Sequence, residues 1–375
     1  MRKELGAKSM AGRGAIGFVA AAVGLLLAGG HEEPAAAVTT AAPPQGSRLD
    51  YLVDALSEQP SQQALDSRIR QLGRDFSGDV GIAVRDVQTG FTTAYDGNTY
   101  FPQQSVSKFW VALTALDRAD RGELDLERTV TLTRSDLTLF HQPIRALIGG
   151  DGYNTTLNAL IVRALTQSDN TANDFVLRRA GGPEAVREFL RRKGIDGVRF
   201  GPGERLLQSQ LAGIEWRQEY ASGNGFYAAR SSLPLSLRRA AFDRYVADPI
   251  DGAQPRQVVN ALARLQQGDL LSPSSTRRLL SIMSQTRTGA QRLKGGLSPG
   301  WRLAHKTGTG QVLGGVQTGY NDIGILTAPD GKTYAVAVMI RRTGAPLPVR
   351  MQLMQNTVRA VINYHQSQSS GYFAP

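Results

Sequence analysis

The chain has 375 residues, no cysteine and four histidines, with 41 % hydrophobic and 20 % charged residues, a globular composition with room for about two domains. The absence of cysteine excludes disulfides, thiolate metal sites, cysteine nucleophiles and a lipidated cysteine anchor. With no HExxH arrangement either, no metal or cofactor is expected. The net charge of +11 comes from 36 Arg and only seven Lys against 32 acidic residues. The basic residues are scattered rather than blocked, which argues against a nucleic-acid partner and for a solvated arginine-rich surface; attraction to an anionic cell envelope is the further option.

In chain order, Arg2, Lys3, Lys8 and Arg13 precede an apolar run at 15–27, and Ala35, Ala36 and Ala37 follow it. Residues 1–37 therefore read as a signal peptide for export to the periplasm, with an uncleaved anchor as the other reading, and 38–59 as a Thr/Ala/Pro linker. Leu65, Ile69, Leu72 and Phe76 recur at helical spacing, so 61–76 is expected to be an amphipathic helix capped by Ser61. Two strands follow at 80–87 and 91–95, joined across Gln88, Thr89 and Gly90. From 105 to about 283 the pattern is mostly helical. Strand character returns at 301–305, 324–327 and 334–340, with Pro329, Asp330 and Gly331 supplying a hairpin turn. Met351, Met354, Val358 and Val361 define one face of a last helix. This order predicts an α+β fold of two subdomains. One antiparallel sheet, built from 60–104 and 285–368, is flanked by the terminal helices, and an all-helical domain at 105–284 is inserted into it.

Three short motifs carry chemistry. Ser105 and Lys108 lie three residues apart; at the start of a helix they share a face, and the amine can take the hydroxyl's proton in place of histidine. Alone, such a pair is most often a helix cap with a solvated lysine. Ser168-Asp169-Asn170 lies 63 residues beyond Ser105; its serine can relay a proton and its asparagine can bind a carbonyl, or the tripeptide is a helix-ending turn. Lys306-Thr307-Gly308-Thr309-Gly310 places two hydroxyls and an amine on a strand edge where glycine lets a substrate approach closely. Its bland reading is a basic hairpin strand.

Together, in this order and spacing, the three resemble the motifs of the serine β-lactamase and penicillin-binding-protein superfamily, over about residues 60–365. Thr288, Gly289 and Arg292, the 297–301 segment, and Asn321-Asp322-Ile323-Gly324 are similar to class A β-lactamases in particular. That resemblance implies Ser105 as acylated nucleophile, Lys108 as its partner, Ser168 as proton shuttle and Asn170 as holder of the substrate amide. Lys306, Thr307, Gly308 and Thr309 would bind the substrate carboxylate, and the N–H groups of Ser105 and Thr309 would form the oxyanion hole. Glu204, 36 residues beyond Ser168, would activate the deacylating water.

Several positions depart from the family pattern. Gln208 stands where asparagine is usual, and its extra methylene threatens the water's place. Pro202 and Arg217 replace the residues of an ion pair that pins the loop, although Arg199 fits. Residues 210–249 are an insert holding Trp216, Tyr220, Phe226 and Tyr227, expected to cover the site, dock a partner or pack peripherally. A substrate-shaping aromatic is expected within Leu139, Phe140 and His141; neither His141 nor His305 is expected to act in catalysis. The implied protein is a monomeric, exported β-lactam hydrolase conferring antibiotic resistance. A D,D-peptidase or a non-hydrolytic penicillin-binding sensor is the alternative.

Overall fold

A computed structural model describes residues 48–370, so the expected signal peptide lies outside the described residues. The sheet forms as predicted from both ends of the chain. Its strands run in the order Thr92–Tyr95, Asp79–Asp86, Thr333–Thr343, Val316–Thr327 and Arg302–Thr309, every neighbour antiparallel. Period-two alternation divides the side chains between two cores. Ile82, Val84, Val336 and Val338 face Leu65, Ile69, Met354 and Val358 of the terminal helices. Ala83, Ala335, Ala337 and Met339 face the other way, toward Val258, Val259 and Leu262 of the helix Pro255–Gln267. The small residues on this second face let that helix lie close to the sheet.

The first helix departs from expectation. It spans Arg48–Asp75 rather than starting at Ser61, so residues 48–59 are helical and not linker. Leu49, Leu52, Val53 and Leu56 continue the helical period upstream, and Pro60 interrupts the pattern without ending the helix. The middle of the chain is largely helical as expected, with a small hairpin of Thr129–Leu132 against Tyr153–Thr156 added to it.

The helix Lys108–Asp120 is the axis of the helical part. Every residue from Lys108 to Asp117 is buried, so it has no solvated face and is fixed on all sides. The antiparallel register then brings its N-terminal end against the strand Arg302–Thr309. Asn321 of the strand Val316–Thr327 ties the segment leading to that helix to the sheet: its Nδ2 donates to the carbonyls of Pro102 and Gln103 at 2.7 and 3.0 Å, and its Oδ1 accepts from the Ile340 N–H at 3.1 Å. Asn321→Ala leaves these buried groups unpaired, a cost of about 2–4 kcal/mol. Thermal unfolding followed by circular dichroism should show a midpoint lowered by roughly 5–10 °C.

Candidate active site

Ser105 sits on the single 3₁₀ turn Gln104–Ser107 that leads into the buried helix beginning at Lys108. One turn of helical geometry puts the Lys108 amine 2.7 Å from Ser105 Oγ, to which it donates. The same amine pairs with the Glu204 carboxylate, and both side chains are buried. Glu204 opens the helix Glu204–Ala212. The unpaired N–H groups at that helix start are met from outside: Asp174 accepts from the Glu204 and Arg205 amides at 3.0 and 3.3 Å. Burial, and the nearby Glu204, raise the Asp174 carboxyl's pKa.

Across the cavity, the Lys306 amine donates to Ser168 Oγ at 2.9 Å and to the Thr307 carbonyl at 2.8 Å. Burial first, then the neighbouring Lys108 and Arg292 cations, pull its pKa well below the ordinary lysine value. Arg292 steadies this strand by donating to the carbonyls of Gly308 and Asn321 and to Thr309 Oγ1. Gly308 admits no side chain: a Cβ there would stand 2.4 Å from the Gln103 carbonyl oxygen. Asn170 donates from Nδ2 to the Leu139 carbonyl at 2.8 Å. Ser105, Ser168, Asn170, Glu204, Thr307 and Thr309 thus line one cavity of about 610 Å³.

These residues assemble a hydroxyl nucleophile, an amine–carboxylate pair, a second hydroxyl–amine pair and a strand edge rich in donors. The model of the Beta-lactamase enzyme family matches residues 64–365. The chain belongs to that family.

Within it, the chain resembles the class A serine β-lactamases. It is 30 % identical over 244 residues to the extended-spectrum beta-lactamase PER-1 of Pseudomonas aeruginosa, covering 64 % of this chain and 68 % of that one. It is 24 % identical over 287 residues to beta-lactamase VEB-1 of the same organism, covering 76 % and 85 %. Among solved structures, an ancestral class A β-lactamase superposes with a TM-score of 0.62 at 30 % identity, covering 80 % of this chain and 98 % of that one. The TLA-3 extended-spectrum β-lactamase superposes at 0.67, with 24 % identity and coverage of 81 % and 99 %.

Set among the class A relatives, the loop carrying Glu204 is held in its own way. Pro202 and Arg217 make no pinning pair, and Arg217 instead lies 3.6 Å from Glu219 on an exposed turn. Asp174 takes over that role at the helix start. Arg205 adds a clamp on the Asp136 carbonyl at 2.7 Å, and Arg199 pairs with Asp248 while lying over the Tyr100 ring. Gln208 reaches Glu204 directly: its Nε2 donates to Glu204 Oε2 at 3.3 Å and to Gln104 Oε1 at 3.0 Å. Gln311 donates to Gln208 Oε1 at 3.0 Å, which fixes the orientation of the Gln208 amide.

Sequence reasoning missed the partners beneath this amide. Gln104 Nε2 donates to Tyr245 Oη at 2.5 Å, Tyr245 donates to Asp251 Oδ1 at 2.8 Å, and Asp251 Oδ2 accepts the Gln104 N–H at 2.8 Å. The insert therefore braces the nucleophile's turn through Tyr245 rather than packing only at the periphery. Gln104, Phe140 and Ser168 are three of the four non-glycine residues with positive φ among the described residues. Such conformations cost about 1–3 kcal/mol each and persist only where the surroundings enforce them. The positive φ at Gln104 follows from its anchored side chain and amide, a signal absent from local sequence. Phe140 lines the cavity and packs edge-on against Phe226 of the insert. His141 lies on the cavity wall with Nε2 at 2.8 Å from the Gln167 carbonyl, and His305 is buried beside Asp322, behind the strand.

Burial pushes the Asp251 carboxyl from 3.8 up to about 6. Between these values the folded chain holds this proton more tightly than the unfolded chain, so Asp251's contribution to stability falls as pH rises and levels off above about 6. Asp251→Asn removes the slope. The midpoint of the wild type relative to this variant should be higher at pH 4 than at pH 7 by calorimetry; an equal difference at both pH values would place the carboxyl's pKa elsewhere.

Proposed function

We propose that the chain hydrolyses the β-lactam amide through an acyl-enzyme on Ser105, with the deacylating water activated by Glu204. The observation that carries this reading is the position of the Lys108 amine, between Ser105 Oγ at 2.7 Å and the Glu204 carboxylate. A charged ammonium has no lone pair for the serine proton. Lys108 therefore accepts it in its neutral form, reached by passing a proton to Glu204 in the wild type or to solvent where Glu204 is replaced.

Ser105 Oγ bonds to the lactam carbonyl carbon as its proton passes to this pair. The oxyanion is held by the N–H groups of Ser105 and Thr309, worth about 3–4 kcal/mol per donor in such sites. As the C–N bond breaks, Ser168 gives its proton to the lactam nitrogen and is resupplied from Lys306, which already donates to its oxygen. Lowering of the Lys306 pKa by burial favours that donation. The proton left on Glu204 returns through solvent in the cavity to Lys306, so that Glu204 is again a carboxylate; water then attacks the ester carbon, Glu204 takes a water proton, and Ser105 Oγ leaves with a proton returned from the Lys108–Glu204 pair. Asn170 Oδ1 accepts the substrate side-chain N–H, with Gln208 on the same wall, while Lys306, Thr307 and Thr309 bind the ring carboxylate alongside the Gly308 backbone.

The purified protein should hydrolyse a chromogenic cephalosporin, and Glu204→Gln should accumulate a Ser105 adduct visible by intact mass. A stable adduct on the wild type would instead favour a penicillin-binding sensor. No adduct with any β-lactam would end both readings.

We also propose that the chain is exported and acts as a periplasmic monomer that protects the cell from β-lactams, its basic surface drawing it toward the anionic envelope. This rests on the basic start, the 15–27 apolar run and the small residues at 35–37. Expression in a Gram-negative host should yield a periplasmic protein whose N-terminus follows Ala37; an intact Met1 in the membrane fraction would identify an uncleaved anchor.

A further inference from the structure

The insert gives the cavity a wall that the catalytic motifs do not supply. Tyr227 and Arg230 of its helix Gly225–Ser232 line the cavity with Gln311 and Val312, beside Asn170 and Gln208. Arg230 Nη2 donates to the Val312 carbonyl at 2.9 Å, which holds the guanidinium at the cavity edge. No carboxylate pairs with Arg230 among the described residues. The charged neighbour that acts on it is Arg238, and partial burial together with that cation lowers its pKa. A half-buried cation without a counter-ion, facing a cavity, is poised to gain from an incoming anion. Tyr227 and Phe140, with ring centroids 6.2 Å apart, supply an adjoining aromatic surface.

The cationic groups at the other part of the cavity are already committed. Arg292 spends its donors on Gly308, Asn321 and Thr309, and Lys306 lies against Ser168. In the reaction proposed above, Lys306, Thr307 and Thr309 take the carboxylate of the fused ring, so a substrate's acyl side chain extends past Asn170 and Gln208 toward the insert.

We propose that Tyr227 and Arg230 form a subsite for an acyl side chain carrying a carboxylate, so that the chain favours β-lactams with an anionic side chain. The inference rests on the acyl-enzyme reading and gives it a substrate class. Arg230 bonds the side-chain carboxylate, and Tyr227 packs against the aromatic or aliphatic body next to it. No bond is made or broken at the subsite; it acts by binding and orientation alone.

The test compares two penicillins with the same nucleus, one with a phenylacetyl and one with an α-carboxyphenylacetyl side chain. The readout is the second-order rate of Ser105 acylation by intact mass, which does not require turnover. Arg230→Gln keeps a donor for the Val312 carbonyl and removes the charge. It should lower the ratio of the carboxylated to the neutral rate about ten-fold, the worth of one charge-assisted contact. Arg230→Lys should recover most of that ratio, and added salt should lower the ratio for the wild type but not for Arg230→Gln. An unchanged ratio, or equal falls in both rates, would overturn the subsite while leaving the acyl-enzyme reading intact. Failure of both penicillins to label Ser105, even transiently in a rapid quench of the wild type and on standing in Glu204→Gln, would overturn that reading and the subsite with it.

Discussion

The arrangement of the site depends on one buried ion pair. Lys108 is wholly buried on a helix with no solvated face, so its ammonium must have a counter-charge or lose its proton. Glu204 supplies the charge, and Ser105 takes another of the amine's hydrogen bonds. Removing one partner of such a pair typically costs about 3–5 kcal/mol, because the other is left desolvated. This pair thus binds the loop that carries Glu204 to the helix that follows the nucleophile's turn, with the Gln208–Gln104 hydrogen bond beside it. Pro202 and Arg217 make no pinning pair in that loop, and Asp174 accepts the N–H groups at its helix start. Burial first, and then the nearby Lys108, pull the pKa of a second buried amine, Lys306, well below the ordinary value.

The same constraint explains where the backbone is strained. With Lys108 fixed, Ser105 faces the cavity only if the turn before it is tight, and Gln104 accordingly takes a positive φ. Its amide, its side-chain nitrogen and its side-chain oxygen are all bonded, to Asp251, Tyr245 and Gln208. Ser168 is held in a similar backbone conformation opposite, where its hydroxyl meets Lys306. The cost of these conformations is met by packing and hydrogen bonds that lie outside the reacting groups. The insert belongs to that support: Phe226 backs Phe140 and Tyr245 backs Gln104.

What the sequence disclosed follows from the range of each interaction. Ser105 with Lys108, and the alternating strands of the sheet, are local patterns with a period, and they were readable. Ser168, Asn170 and Lys306 became readable once three local motifs stood in order. Tyr245 lies 141 residues from Gln104, and Asp251 lies 147 residues away; neither belongs to a motif, and each matters only through a contact made by the fold. Asp174 looked like one more polar residue of the helix Asn170–Arg179, yet it is buried and caps another helix. The start of the first helix was misplaced for a local reason, because Pro60 breaks the pattern without breaking the helix. Gln208 was expected to intrude on the water's place; the structure shows its amide donating to Glu204, an orientation that depends on Gln311.

The excess of arginine, expected to be solvation, also has structural work in the fold. Arg205 and Arg264 donate to loop carbonyls, Arg292 to two carbonyls and a threonine on the third motif, and Arg350 to the Ala345 carbonyl. A guanidinium spreads several donors in a plane and stays charged when partly desolvated, whereas a lysine amine readily loses its charge on burial. Clamping irregular backbone with lysine would therefore risk the buried charge that the site itself exploits in Lys108 and Lys306. Within the site the two kinds divide: Lys108 and Lys306 each donate to a serine hydroxyl, and Arg205 and Arg292 hold backbone carbonyls. On that division Arg230 is the exception to examine, since it holds one carbonyl and faces the cavity with donors to spare.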